Sequence, residues 1–430
     1  MILWRCTVNT RQAHIAFWFA ILTLAACGDP SDPSRIAPPS FAVGGVGRPV
    51  VLVNPNMKGS GTATTIQEGI DMVDRGGKVL VLPGTYDEAI VIDKGLTLEG
   101  LGGESGPVVV SPSGTVGAAI HVATPDPVTI RGLSVRYTGT RGLFGDGVVD
   151  LTVERVSVVA VSPPLGVTGL ISVINDAPTT GRARAVVRES SVDGSLPSAP
   201  SPPFAQIFGI TVAGDIDARL DGNVIRRTGG ACVWVRMSND LGAETNADVL
   251  HNDLDECYPL GRAGGILVGS AAGVVPSPTH PVTATGIVNI AGNTIRNSSA
   301  SCLASTAINY EFYTGRIERN RIVNVVQDCA ASTPRNLQGA IWVGSLRGFP
   351  PAAPAVRFND LVGNAHAGLR IGANQSAALD ASCNWWGSPS GPSGAGTGTG
   401  DAVVVEAGAT TPVMTPFATA PIAGTDATGC

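Results

Sequence analysis

Apolar and polar residues recur along the chain in a six-residue pattern. It consists of an apolar residue, two variable residues, usually Asn, one variable residue and a second apolar residue, as in Leu220–Ile225. Earlier and weaker copies have Leu133, Val156 and Ser190 at the Asn position. The copies with asparagine place it at Asn223, Asn252, Asn293, Asn320 and Asn359. One fixed core that returns at intervals of 23 to 41 residues predicts a solenoid whose loops differ in length.

Short runs of alternating apolar residues predict strands in every repeat, as in Val128–Ile130 and Val156–Val158. A second run follows each loop, as in Ala231–Val235 and Ala340–Val343. No helical period extends beyond residue 77. We therefore predict an all-β fold, a single-stranded right-handed parallel β-helix. The asparagines would stack in a bend as a structural ladder that satisfies buried backbone groups.

The two ends of the solenoid need covers, because open strand edges invite aggregation. Thr65 and Glu68 have capping-box spacing, and Ile66, Ile70 and Val73 follow at helical intervals. This pattern predicts a short helix that caps the first coil. The β-helix itself is predicted over residues 49–392, and the Gly-rich segment 393–430 is predicted to fold back as a C-terminal tail and cap.

The N-terminus reads as a targeting segment rather than as part of the fold. Arg5 and Arg11 precede an apolar stretch that is too short to span a bilayer comfortably and ends at Ala26. The next residue, Cys27, resembles the lipidated cysteine of bacterial lipoproteins. We expect a signal peptide over 1–26 and a Pro/Ser-rich tether over 27–48; the alternative is ordinary cleavage near Ala26, with Cys27 incidental.

An exported chain meets an oxidising compartment, in which cysteines pair. Cys302 and Cys329 lie at equal offsets after their repeat asparagines, which places them about one strand spacing apart, roughly 4.8 Å. Two further disulfides are expected between Cys232 and Cys257 and between Cys383 and Cys430. The alternative for all six is buried free thiols.

Charge excludes one class of partner. The formal net charge is −6, and no run of basic residues is present. Nucleic acid binding is therefore not expected. Five His and five Met are too few for a copper site, so no metal site of that kind is predicted.

Two segments carry a resemblance to known families. Thr65–Asp71, Gly77–Tyr86 and Ile90–Gly100 together resemble the opening of pectin-lyase-like right-handed β-helix proteins. Leu379–Pro392 contains Asn-Trp-Trp-Gly and resembles the closing signature of bacterial β-helix repeat proteins, in which the two tryptophans would pack the cap. The resemblance implies the fold and leaves the activity open, because this scaffold hosts lyases, hydrolases, esterases, epimerases and non-enzymatic surface proteins.

The catalytic motifs of pectin methylesterases and polygalacturonases are absent from the sequence. Polysaccharide lyases of this fold use Arg or Lys as the base beside carboxylates that bind calcium. Asp221, Asp253, Asp255 and Arg226 offer that combination, so they are the candidate catalytic residues, with Ca²⁺ as a cofactor if the protein is a lyase. The alternative is a set of ordinary surface ion pairs between adjacent coils.

A row of outward-facing residues gives a candidate binding site. In the second strand of each repeat, the residue between two inward apolar residues should face outward, and successive repeats place Trp234, Leu267, Asn309, Trp342 and Arg370 there. Exposed Trp rings stack on sugars, and Asn and Arg bond sugar hydroxyls. The predicted carbohydrate-binding residues are therefore Trp234, Asn309, Trp342 and Arg370. The alternative is that loops fold over the tryptophans and bury them.

Two function classes follow from these patterns. The first is an envelope-anchored β-helix protein that binds an extracellular polysaccharide and, if it is an enzyme, cleaves it by lyase or hydrolase chemistry. The second is a non-catalytic surface or adhesion module that binds a glycan and releases no product. In both, the chain is expected to be a monomer that contacts the membrane only through its lipid anchor.

Overall fold

The computed structural model describes residues 48–56, 62–104, 106–162, 168–176, 181–195, 207–237, 243–257, 263–269, 286–298, 306–325, 339–344, 351–364, 366–422 and 430. The predicted lipid attachment at Cys27 and the predicted disulfide between Cys302 and Cys329 lie outside the described residues. In the described part of the chain, no helix combines the length and the apolar character needed to cross a membrane.

Three parallel sheets make up the fold, and we name them sheets I, II and III in the order in which each coil visits them. Sheet I contains Thr62–Ala63, Val50–Val53, Lys78–Val81, Leu96–Gly100, Pro127–Arg131, Asp150–Glu154, Ala183–Arg188, Ile216–Asp221, Thr245–Leu250, Ile287–Ala291, Thr314–Glu318 and Ala353–Arg357. Sheet II contains Gly84–Tyr86, Val108–Val110, the first half of Ser134–Asp146, Ser157–Ser162, Ser191–Asp193, Val224–Thr228, Asp253–Cys257, Thr294–Arg296, Arg321–Val323 and Asp360–Val362. Sheet III contains Ile90–Ile92, Thr115–Val122, the second half of Ser134–Asp146, Thr168–Asn175, Ile207–Gly214, Val233–Arg236, Ala263–Gly269, Thr306–Glu311, Gly339–Gly344, Leu369–Ile371, Pro392–Gly394 and Gly400–Val405. This architecture confirms the predicted all-β solenoid.

Matching repeat positions stack coil on coil. In sheet I the first apolar residue of the pattern pairs in register through Leu220, Val249, Ile290, Ile317 and Val356, and all five are fully buried. Burial of each such side chain stabilises the fold by about 1.5–3 kcal/mol. The hydrophobic core therefore runs continuously along the coils.

The predicted N-terminal helix is present as Ile66–Met72. The Thr65 hydroxyl accepts a hydrogen bond from the Glu68 N–H at 3.1 Å, as expected for its cap. The Glu68 carboxylate, however, accepts from the backbone N–H of Thr64, at 2.8 Å, and from its hydroxyl, at 3.0 Å, so the reciprocal bond lies one residue before the cap. Ile66 and Ile70 are fully buried, which places the helix against the core.

The repeat asparagines form one continuous row inside the bend between sheets I and II, here called the asparagine ladder. The Asn293 Oδ1 accepts from both the backbone N–H and the Nδ2 of Asn252, each at 2.9 Å, and its Nδ2 donates to Asn320 Oδ1 at 2.9 Å. The same pair of bonds links every neighbouring rung, from Asn223 to Asn359. Each rung also donates to a backbone carbonyl of the preceding coil, which would otherwise be buried without a partner.

The solenoid continues beyond the predicted boundary at residue 392. Gly400–Val405 pairs in parallel with Leu369–Ile371 and so extends sheet III. Part of the tail lies against the segment that follows the last strand of sheet I, since the Val413 N–H donates to the Leu379 carbonyl at 2.8 Å. A strand therefore follows the Gly-rich segment, while the division between β-helix and cap stays a prediction.

Two of the predicted disulfides are present. Cys232 pairs with Cys257 across adjacent coils, with 5.5 Å between their Cα atoms. Cys383 pairs with Cys430 and ties the chain end to the last coil. Disulfides of this kind are typical of proteins that fold in an oxidising compartment.

Candidate functional site

The outward residues of sheet III stand opposite one another in register. Trp234 pairs with Leu267, Leu267 with Asn309, Asn309 with Trp342, and Trp342 with Arg370. Neighbouring strands of a sheet are about 4.8 Å apart, so one such residue is presented at every step of that length. We call this row the sheet III column.

The tryptophans of the column are not exposed, contrary to the prediction. The exposed fraction is 8% for Trp234 and 3% for Trp342. Trp234 packs against Phe208, with 4.3 Å between the ring centroids, and Arg236 lies 5.9 Å from its ring. The expectation of free stacking faces is therefore wrong for both tryptophans, and in Trp234 the Phe208 ring covers part of the indole.

Trp342 lies against a part of sheet III whose backbone carries no side chains. A Cβ atom at either Gly344 or Gly372 would come within 2.6 Å of the Trp342 ring. The indole therefore lies directly against these two glycines, on the outer side of sheet III. Any larger residue at either position would force the ring to move.

Some residues of the column carry buried polar atoms that lack hydrogen-bond partners in the described part of the chain. Asn309 is fully buried, and its Nδ2 donates to Glu311 Oε1 at 3.0 Å. Among the described residues, Asn309 Oδ1 and Trp234 Nε1 are buried and have no hydrogen-bond partner. A buried polar atom without a partner costs about 1–3 kcal/mol, so its retention needs an explanation.

An ion pair occupies the C-terminal end of the column. Arg370 Nη1 lies 3.9 Å from Glu406 Oε1. Burial lowers the pKa of the Arg370 guanidinium, although Glu406 opposes this effect. Burial also raises the pKa of the Glu406 carboxyl, an effect that the Ala373 N–H, Arg370 and Trp342 partly offset. In this pair, the Glu406 carboxyl retains its proton more readily than usual, and its partner is the half-buried guanidinium of Arg370.

The column extends further toward the N-terminal end than the sequence reading traced it. Thr211 and Trp234 pair in register, and Phe144 pairs with His121. The His121 and Phe144 rings stack with 5.2 Å between centroids, and the Arg141 guanidinium carbon lies 4.1 Å from the Phe144 centroid. His121 Nε2 is another buried polar atom without a partner among the described residues.

The candidate catalytic residues lie in sheets I and II, away from the sheet III column. Asp221 accepts from Arg219 Nη2 at 2.6 Å and lies 3.0 Å from His251 Nδ1. Burial opposes the shift, but the hydrogen bonds from His251 and Arg219 lower the pKa of Asp221. Asp221 is thus an ionised, paired side chain.

The two other carboxylates of that cluster share a single arginine. Arg296 contacts Asp253 at 2.5 and 3.1 Å and Asp255 at 3.2 Å, while Arg226 lies 3.7 Å from Asp253. This is the alternating ion-pair arrangement that the sequence analysis gave as the alternative to an active site. Across the described residues, no group of three or more His, Cys, Asp or Glu side chains is placed to hold a metal ion.

Sequence reasoning missed Glu311, Glu406, His121 and Phe144. The sequence did contain a signal for His121 and Phe144. In Ile120-His121-Val122 and Leu143-Phe144-Gly145, the residue follows an apolar residue and precedes an apolar or small one, as in the later strands. Glu311 follows Asn309 by two residues and so lies on the same face. Glu406 had no such signal, since it lies beyond the predicted end of the β-helix.

Comparison with known proteins leaves the family open. No protein-family model matches the chain, and no curated protein matches it either. A solved structure with a similar arrangement is the A-module of the mannuronan C-5 epimerase AlgE4 from Azotobacter vinelandii. Its TM-score is 0.43 at 14% sequence identity, and the alignment covers 80% of this chain and 91% of that chain.

Proposed function

We propose that the protein binds an extended glycan along the sheet III column. The observation that carries this proposal is the set of buried polar atoms on one face: His121 Nε2, Trp234 Nε1 and Asn309 Oδ1 have no partner among the described residues. Sugar hydroxyls both donate and accept hydrogen bonds, so they can satisfy an indole N–H and an amide carbonyl alike. The column also supplies aromatic surface, on which sugar rings pack.

Binding at these atoms requires a local rearrangement. Phe208 and Arg236 would have to turn away from Trp234 before a sugar could reach its ring nitrogen. The energetic reason for such a change is the partner gained, because each satisfied polar atom recovers about 1–3 kcal/mol. The two disulfides are consistent with a glycan met outside the cytoplasm.

Replacing Trp234 by Phe tests this proposal. The substitution removes the unpartnered N–H and keeps an aromatic ring against Phe208, so the free energy of unfolding should change by less than about 1 kcal/mol. Affinity for the glycan, identified by an array and then measured by titration, should fall about tenfold through loss of one hydrogen bond.

Trp386→Phe is the matched control for that experiment. Its Nε1 is also buried without a partner among the described residues, but the side chain belongs to the main core. We expect this variant to lose stability and to retain glycan affinity, the reverse of Trp234→Phe. Equal affinity of wild type and Trp234→Phe for every glycan would rule out the column as the binding site.

Cleavage of the bound glycan is a second candidate function, and the Arg370–Glu406 pair favours it. A carboxyl whose pKa is raised by burial can serve as a general acid, and it lies on the same face as the proposed binding residues. If it does so, Glu406→Gln should lower the rate of product formation at least about 100-fold and leave glycan affinity unchanged. Reducing ends and unsaturated products would be assayed together. Absence of both products from wild type with a glycan that it binds would leave the binding module as the function.

A further inference from the structure

A second cleft lies on the outer side of the bend that holds the asparagine ladder. Its volume is about 700 Å³. The side chains that give it chemical character are those of His251, Arg319, Arg321, Phe358 and Asp360, and the chain near its end contributes Pro421 and Ile422. The cleft is separate from the sheet III column, because its lining residues other than Pro421 and Ile422 belong to sheets I and II and the bend between them.

Arg319 is the distinctive residue of this cleft. It is exposed, and no carboxylate among the described residues lies within ion-pair distance of it. Its guanidinium carbon lies 5.6 Å from the centroid of the Phe358 ring. The ring thus supports the guanidinium through a cation–π contact while its N–H donors remain available to a ligand.

The neighbouring Arg321 is also incompletely neutralised. Arg321 is 67% exposed at its side chain and lies 3.9 Å from Asp360, a long distance for an ion pair. His251 Nδ1 is taken by Asp221, which fixes the ring at the edge of the cleft. Asp360, the one carboxylate that lines the cleft in its described part, has its pKa raised by burial. Positive charge therefore dominates the accessible surface.

The backbone at Arg319 adopts a left-handed conformation that is common to this position of the repeat. The residue before the Asn position of the repeat has a positive φ in all nine coils from Gly132 to Cys383; it is glycine in three of them and a residue with a side chain in six. Arg319 adopts the same conformation with a φ of 54°. A side chain in this region is strained relative to glycine, so glycine can replace Arg319 without a loss of folding stability.

A second arginine at the same backbone position provides a contrast. Arg155 has a φ of 50° and lines another cleft along the same bend, where it lies 2.8 Å from Glu154 and 3.8 Å from Glu189. Its charge is neutralised by these partners. Arg319 lacks such partners among the described residues, although the two residues occupy equivalent places in their coils.

We propose that the cleft binds an oxyanion group of an acidic polymer, with Arg319 and Arg321 as the donors and Phe358 as the side wall. Carboxylate, sulfate and phosphate groups all accept the paired N–H donors of a guanidinium. The site goes beyond the proposed glycan-binding column and does not depend on it.

The test compares Arg319→Gly with Arg155→Gly in the whole chain. Both variants remove one positive charge and relieve the same backbone strain, so neither should have a lower unfolding temperature than wild type. Binding of dextran sulfate and of polygalacturonate would be measured by titration at low and moderate salt, with neutral dextran as the uncharged probe. We expect Arg319→Gly to raise the dissociation constant for at least one acidic probe fivefold or more. Arg155→Gly should stay within twofold of wild type.

Further variants separate this site from the sheet III column. Arg321→Gln should weaken the same acidic probe, and Arg319→Gly should cause the same fold loss in the Trp234→Phe background as in wild type, because independent sites add. Higher ionic strength should weaken wild-type binding, since the donors are exposed. Equal losses in Arg319→Gly and Arg155→Gly, or no binding of either acidic probe by wild type, would overturn the proposal. Neither result would affect the glycan-binding proposal.

Discussion

Replacing Asn293 by Ala is expected to lower the free energy of unfolding by about 4 kcal/mol. The Asn293 Oδ1 atom accepts hydrogen bonds from the backbone N–H and the Nδ2 of Asn252. Its Nδ2 donates to the Val249 carbonyl and to Asn320 Oδ1, which makes four partner atoms. All four partners lie inside the bend, so the substitution leaves buried polar groups on both neighbouring coils without partners. Each costs about 1–3 kcal/mol, and denaturant unfolding followed by circular dichroism would report the sum.

Asn289→Ala is the matched control, because it removes an asparagine from the same coil outside the ladder. The Asn289 Nδ2 donates to Asp248 at 2.8 Å, and its Oδ1 lies 3.5 Å from Arg316 Nε on the outer surface. Water can replace both contacts, so a loss below about 1 kcal/mol is expected. Similar losses of unfolding free energy in the two variants would show that a ladder asparagine contributes no more to stability than a surface asparagine.

The register of the coils could be predicted from sequence because side-chain alternation is a local property. Reading each second strand as inward, outward, inward was enough to align Trp234 with Leu267 and Asn309 with Trp342. Such inferences need only the pleat of a strand and the spacing between strands. The Cys232–Cys257 disulfide was expected only from the nearness of the two cysteines in adjacent coils, because their offsets from the repeat asparagines differ.

The burial of the column could not be predicted in this way. Trp234 is covered by Phe208, a residue of the preceding coil whose ring position depends on its own surroundings. The Trp342 indole lies close to Gly344 and Gly372, where a side chain would displace it. Exposure is set by neighbours on other coils, and periodicity gives the direction of a side chain without giving what covers it.

The closing signature turns out to be a further copy of the repeat. Ala381, Asn384 and Trp386 fall at its first apolar, Asn and second apolar positions. Asn384 Oδ1 accepts from the backbone N–H of Asn359 at 2.8 Å and from its Nδ2 at 3.0 Å, so Asn384 is the next rung of the ladder. The sequence contained this signal, but the resemblance to a terminal motif implied that the two tryptophans pack a cap.

Trp386 should therefore behave as a core residue, and Trp386→Ala is expected to cost about 4 kcal/mol of unfolding free energy. Trp386 is fully buried and belongs to the main core, and the position that it occupies carries Ile or Leu in the coils from Ile225 to Leu361. Trp386→Leu restores the residue type of the other coils and leaves a smaller cavity, so its loss should be about half as large. Because the cavity left behind sets the difference, denaturant unfolding of the two variants gives a graded series. A loss below about 1 kcal/mol in Trp386→Ala would contradict a core role and return the motif to the surface of the cap.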